Sequence, residues 1–187
     1  MKWVRRIFFL IIGLPVLVVL GLVALGQRPN AGRSVERIAI ARPPAQVFLH
    51  LVDEARLQRW TRLAEVRKLT EGPLRTGSRL RVVSEARGQR TVMNVDVTAV
   101  DPDRRLTTML RTAPGSAVGV SQLAEYRLEE KKGDTRLTVT LDCRYDSVIV
   151  GLLEPLITRG MQRQLENSLD RLRAQVEAEP IPSDPAP

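Results

Sequence analysis

Thr135-Arg136-Leu137-Thr138-Val139-Thr140-Leu141-Asp142-Cys143-Arg144-Tyr145 alternates without a fault. Leu137, Val139, Leu141, Cys143 and Tyr145 share one face of an extended chain, and Arg136, Thr138, Thr140, Asp142 and Arg144 share the other, because successive side chains of a strand point to opposite sides. The stretch therefore reads as a strand with one buried face. Just beyond it the period changes. Leu153, Leu156, Ile157, Gly160, Met161, Leu165, Ser168, Leu169, Leu172 and Val176 recur at helical spacing, with Arg159, Arg163, Glu166, Asp170 and Arg173 on the far side. The spacing predicts one long amphipathic helix over 153–176, and a one-sided strand beside a one-sided helix predicts that the helix lies on the sheet.

Toward the N-terminus the same alternation repeats. Strands are expected at Glu65 to Thr70, Ser78 to Glu85, Arg90 to Val100, Arg105 to Thr112 and Val118 to Glu129, punctuated by Gly72-Pro73, Arg87-Gly88, Asp101-Pro102-Asp103, Pro114-Gly115 and Lys132-Gly133-Asp134. Links this short join antiparallel neighbours. Val35 to Ala41 is a first strand, stopped by Pro43-Pro44. Proline suits a first helical turn, and Val47, Phe48, Leu51 and Val52 follow at helical spacing, so a short helix spans Pro44 to Val52 and a second Glu54 to Trp60. The fold class expected is α+β, a curved antiparallel sheet of about seven strands wrapped around a long C-terminal helix, with two short helices after the first strand. Those helices leave the first strand free to pair beside 135–145.

The N-terminus differs in kind. Ile7 to Leu25 is nineteen residues without a charge or an amide, enough to reach about 28 Å as a helix and cross a bilayer. A transmembrane anchor over 1–27 is expected. The alternative is a cleaved signal peptide, for which Ala24-Leu25-Gly26 offers small residues but the apolar run is long. Lys2, Arg5 and Arg6 on a very short tail favour tail inside and domain outside, on the periplasmic or extracellular side. The organisation expected is a linker over 28–34, one domain over 35–178 and a disordered tail over 179–187, rich in proline.

Charge excludes little but weakens one class. Beyond residue 26 there are 26 basic against 21 acidic side chains, 25 of the chain's 29 cations are arginine scattered singly, and few aromatics are present, so no nucleic-acid partner is expected. A mildly basic surface is instead suited to anionic lipid head groups. One histidine, His50, and one cysteine, Cys143, cannot make a metal site, and no glycine-rich phosphate loop or Gly-x-Ser-x-Gly elbow occurs, so neither cofactor nor catalytic residue is assigned. His50 falls on the polar side of its helix and is expected at the surface, Cys143 in plain packing, and Trp60 as a cap over the fold's edge.

Several pieces in order carry a resemblance covering Val35 to Val176. They are Ile38-Ala39-Ile40-Ala41-Arg42-Pro43-Pro44-Ala45-Gln46-Val47-Phe48, then Leu51-Val52-Asp53, Trp60, and Gly77 before a strand. Val95-Asp96-Val97-Thr98-Ala99-Val100-Asp101-Pro102 ahead of Arg105-Leu106, and Thr135-Arg136-Leu137-Thr138-Val139-Thr140, complete the set. The chain resembles the SRPBCC superfamily, the helix-grip fold of START lipid-transfer domains, Bet v 1-type proteins and polyketide cyclase/dehydratase-like proteins. The resemblance implies an apolar cavity between sheet and long helix that holds a hydrophobic small molecule; it implies no reaction.

The residues alone fit a packed core as well as a lined pocket. If the cavity exists, the inward faces put Met93, Val95, Val97, Met109, Tyr126, Leu141 and Tyr145 on its wall from the strands, and Leu153, Ile157, Met161 and Leu165 from the helix. Ala99 and Leu128 are read as inward too. The function expected is a membrane-anchored binder of a lipid or isoprenoid-like ligand. A cyclase/dehydratase-like enzyme and a protein-interaction module of the same fold stay open beside it.

Overall fold

The computed structural model describes residues 32–86, 88–113, 119–145 and 154–180. The Ile7–Leu25 segment and Leu153 lie outside them, as do residues 181–187 of the tail. Among the described residues no helix is long and apolar enough to cross a membrane.

The chain runs β1 (Arg33–Ile40), α1 (Pro44–Val52), α2 (Glu54–Thr61), β2 (Glu65–Lys68), β3 (Arg79–Ala86), β4 (Gln89–Asp101), β5 (Arg105–Thr112), β6 (Val120–Lys131), β7 (Asp134–Tyr145) and α3 (Glu154–Ala178). The seven strands form one antiparallel sheet in the order β1-β7-β6-β5-β4-β3-β2. The excursion through α1 and α2 is what lets the first strand return beside the last. Arg33 and Ser34, expected in the linker, already pair with Asp142 and Leu141. Gly32 makes that entry possible: its φ is +83°, and a Cβ there would stand 2.5 Å from the Cys143 carbonyl oxygen.

Local chemistry fixes the helices. Pro44 opens α1, and Asp53 ends it while capping α2, its carboxylate accepting from the Arg56 amide at 2.9 Å. β2 stops two residues short of Thr70, where the chain turns through Gly72 at φ +81°. In β4 the register slips between Val97 and Ala99. The bulge hands the inward direction from Ala99 to Val100, which packs against the core, so the alternation read through Val95, Val97 and Ala99 holds only as far as Val97.

α3 packs on β1, α1 and α2. Leu169, Leu172 and Val176 are buried there with Ile40, Val47, Leu51, Leu137 and Val139. Its C-terminus is tied down: Glu177 accepts from the Ala41 amide at 2.9 Å, and Arg42 donates to the Glu177 and Glu179 carbonyls. This corrects two expectations. Glu179, assigned to a disordered tail, sits 3.3 Å from Arg56. His50, expected at the surface, is 1% exposed because the end of α3 lies across the α1 face that the helical wheel left polar. Its Nδ1 is 3.1 Å from the Gln46 carbonyl and its Nε2 3.3 Å from Glu179 Oε1.

Candidate functional site

Toward the N-terminal half of α3 the interface opens. A cavity of about 490 Å³ lies between the helix and the concave face of the sheet, within the size range of pockets that bury one small ligand. Register explains its wall. Leu80 and Val82 of β3 stand opposite Val95 and Met93 of β4, and Val95 and Val97 opposite Leu110 and Thr108 of β5. Leu106, Thr108 and Leu110 then face Tyr126, Ala124 and Gln122 of β6, and Ala124 faces Leu141 of β7. Met161, Gln164, Leu165 and Ser168 come down from α3, while Leu51, Leu57, Trp60, Leu63 and Leu74 close one side.

Of the residues expected on the wall, Met93, Val95, Val97, Tyr126, Leu141, Met161 and Leu165 do line the cavity. Met109 does not. Leu106, Thr108, Leu110 and Thr112 are the inward residues of β5, so Met109 stands on the outer face, paired with Asp96 and Leu123. The side chains of Tyr145 and Ile157 lie outside those described, as does Leu153.

Trp60 is no edge cap. It is 2% exposed, lines the cavity, and donates from Nε1 to the His50 carbonyl at 2.9 Å. Its own carbonyl accepts from Arg171 Nε at 2.9 Å, and a second Arg171 nitrogen donates to Ser168 Oγ at 2.7 Å. Burial lowers the Arg171 pKa from its ordinary value, with nearby Arg62 adding to the effect. Trp60 carries little periodic signal in the sequence, because α2 offers only Ala55 and Leu57 as further apolar residues. Leu80 and Val82 announce themselves by alternation in Arg79-Leu80-Arg81-Val82.

The chemistry of the wall is uniform. Leucine, valine and methionine dominate, joined by Thr108, Thr112, Gln122, Gln164, Ser168 and a few other neutral polar side chains. Among the described residues it carries no carboxylate, imidazole, amine or guanidinium, and no thiol. Among the described residues the one ionisable lining group is Tyr126, whose phenol burial pushes up to about 12. Cys143 lies outside the lining, buried; its thiol is pushed up to about 11 by burial first and by Asp142 second, which makes it a packing residue instead of a nucleophile. Among the described residues no three His, Cys, Asp or Glu side chains gather to hold a metal.

A family model described as polyketide cyclase / dehydrase and lipid transport matches residues 32–177. Solved structures agree in fold. Protein CV1439 from Chromobacterium violaceum superposes with a TM-score of 0.63 at 15% identity, over 79% of this chain and 99% of that one. Ara h 8.0201 gives 0.64 at 14% identity, over 79% and 98%. DynU16, from the dynemicin biosynthetic locus, gives 0.59 at 18% identity over 79% of this chain, which spans 48% of DynU16. No curated protein matches the sequence.

Proposed function

We propose that this chain, which belongs to the polyketide cyclase / dehydrase and lipid transport family, holds one lipid- or isoprenoid-like molecule beneath α3 and does so at a membrane. The observation that carries the reading is the cavity of about 490 Å³, mainly apolar and without a charged side chain among the described residues. Protein interiors are otherwise close-packed, and empty apolar volume costs stability, so a void of this size is best explained by an occupant. The Ile7–Leu25 run is the anchor of this reading, and Lys2, Arg5 and Arg6 put the domain on the extracytoplasmic side, where a carrier could meet a ligand leaving the bilayer.

A cyclase-like enzyme is the second reading, favoured by the family's description. Acid–base catalysis works best with groups titrating near the working pH. A phenol held near 12 stays protonated at pH 7 and could only polarise a carbonyl, which makes the binder the stronger reading.

The test is native mass spectrometry of full-length protein released gently from its membrane. A binder carries a discrete copurifying mass in the lipid range; a bare mass, with no uptake of added apolar molecules, sinks the reading. Carbonate and high salt should leave the full chain in the membrane, whereas a mature N-terminus at Gln27 would establish the signal-peptide alternative. A reporter active only outside the cytoplasm should work when fused after Pro187.

A further inference from the structure

The cavity wall carries a polar group with no partner among the described residues. Tyr126 projects from β6 between Leu106 of β5 and Val139 of β7, both buried and apolar. Among the described residues its hydroxyl has no hydrogen-bond partner. Tyr126 is only partly buried and lines the cavity, so its hydroxyl is open to whatever fills that space, whereas phenylalanine would supply the same ring without a donor. Ser168 faces the cavity from the other side. Its oxygen already accepts from Arg171, so its hydrogen is left to donate. The Arg171 charge itself is held outside the lining, occupied by the Trp60 carbonyl and Ser168.

We infer that the cavity selects an uncharged amphiphile bearing a hydroxyl or carbonyl oxygen, that the Tyr126 hydroxyl is its polar anchor, and that a fatty-acid anion is rejected. The inference rests on the binding reading above and narrows its ligand class. The reason for rejection is desolvation: a carboxylate entering this lining loses water and meets no cation among the described residues, while an alcohol or ketone oxygen loses little and gains a donor. The phenol keeps its proton throughout the neutral range, consistent with donation.

The test uses full-length protein with Trp3→Phe, so that Trp60 is the sole tryptophan, and follows its fluorescence on titration at pH 8 with decane, 1-decanol, 2-decanone and decanoate. The expected order places the alcohol and ketone at least about tenfold tighter than the anion. Tyr126→Phe should weaken alcohol and ketone by about 2- to 10-fold, the size of one net hydrogen bond, and leave decane unchanged. Decanoate binding as tightly as decanol would overturn the inference while leaving an apolar binder in place. Equal loss of decane and decanol in Tyr126→Phe would overturn the anchor, since the hydroxyl would then matter only through packing. Failure of all four probes, decane included, would remove the binding reading and the inference with it.

Discussion

The two ends of the α3–sheet interface use the same alternation of apolar residues and reach opposite results. At the C-terminal end Leu169, Leu172 and Val176 meet Leu137 and Val139, and each of the five is no more than 2% exposed. At the other end Met93, Val95 and Leu110 are only partly buried, because they face space instead of side chains. The difference is one of support. α3 rests on β1, α1 and α2, and the concave middle strands run beneath it without filling the gap. One helix face therefore acts as core at one end and as a lid over a binding volume at the other.

Truncation should separate the ends most sharply. Leu172→Ala removes a fully buried side chain at the solid end and should cost about 2–5 kcal/mol in urea unfolding. Met161→Lys lies at the hollow end, where the ammonium can reach water through the cavity. It should fold with a loss below about 1.5 kcal/mol, within the range of ordinary substitutions, and fail to hold an apolar probe. If both variants lose stability equally, the ends are not different.

Titration gives a finer contrast. The Tyr126 phenol is raised from 10.0 to about 12, so the folded state keeps its proton where the unfolded chain would lose it. Its contribution is full below pH 10 and is lost as pH rises through 12, so stability should fall with pH across that window. Tyr126→Phe should flatten that slope, and ultraviolet difference absorbance on the wild type should show one tyrosine titrating late. The smallest effect belongs outside the interface. Arg127 pairs with Glu125 at 3.0 Å on the outer face of β6, with Arg127 58% exposed, and Arg127→Ala should change stability by less than about 1 kcal/mol.

How much of this was readable depended on how cleanly each strand separates its faces. β7 alternates strictly, so its sequence alone puts Leu137, Val139 and Leu141 inward, and all three are buried. β5 does not: Leu106-Thr107-Thr108-Met109-Leu110 has neutral residues on both faces, and only pairing with β4 and β6 shows that Thr108 lines the cavity and Met109 faces out. The bulge after Val97 is equally invisible to a period-2 reading. His50 escapes a sequence reading for a different reason. A helical wheel describes one helix, and the partner burying this side chain arrives from Glu179, far along the chain. The anchor at Ile7–Leu25 stays a sequence-level expectation.

The central claim is that the volume beside Val95 is open to a ligand and is not core. The measurement is the affinity of Val95→Phe for an uncharged apolar fluorophore such as 1-aminoanthracene, beside wild type and at matched fold. A larger side chain placed in a real cavity occupies space instead of overpacking it, so the variant should keep a melting temperature within a few degrees of wild type and lose probe binding by tenfold or more. A collapsed fold in Val95→Phe, or unchanged affinity in a folded variant, would contradict the account.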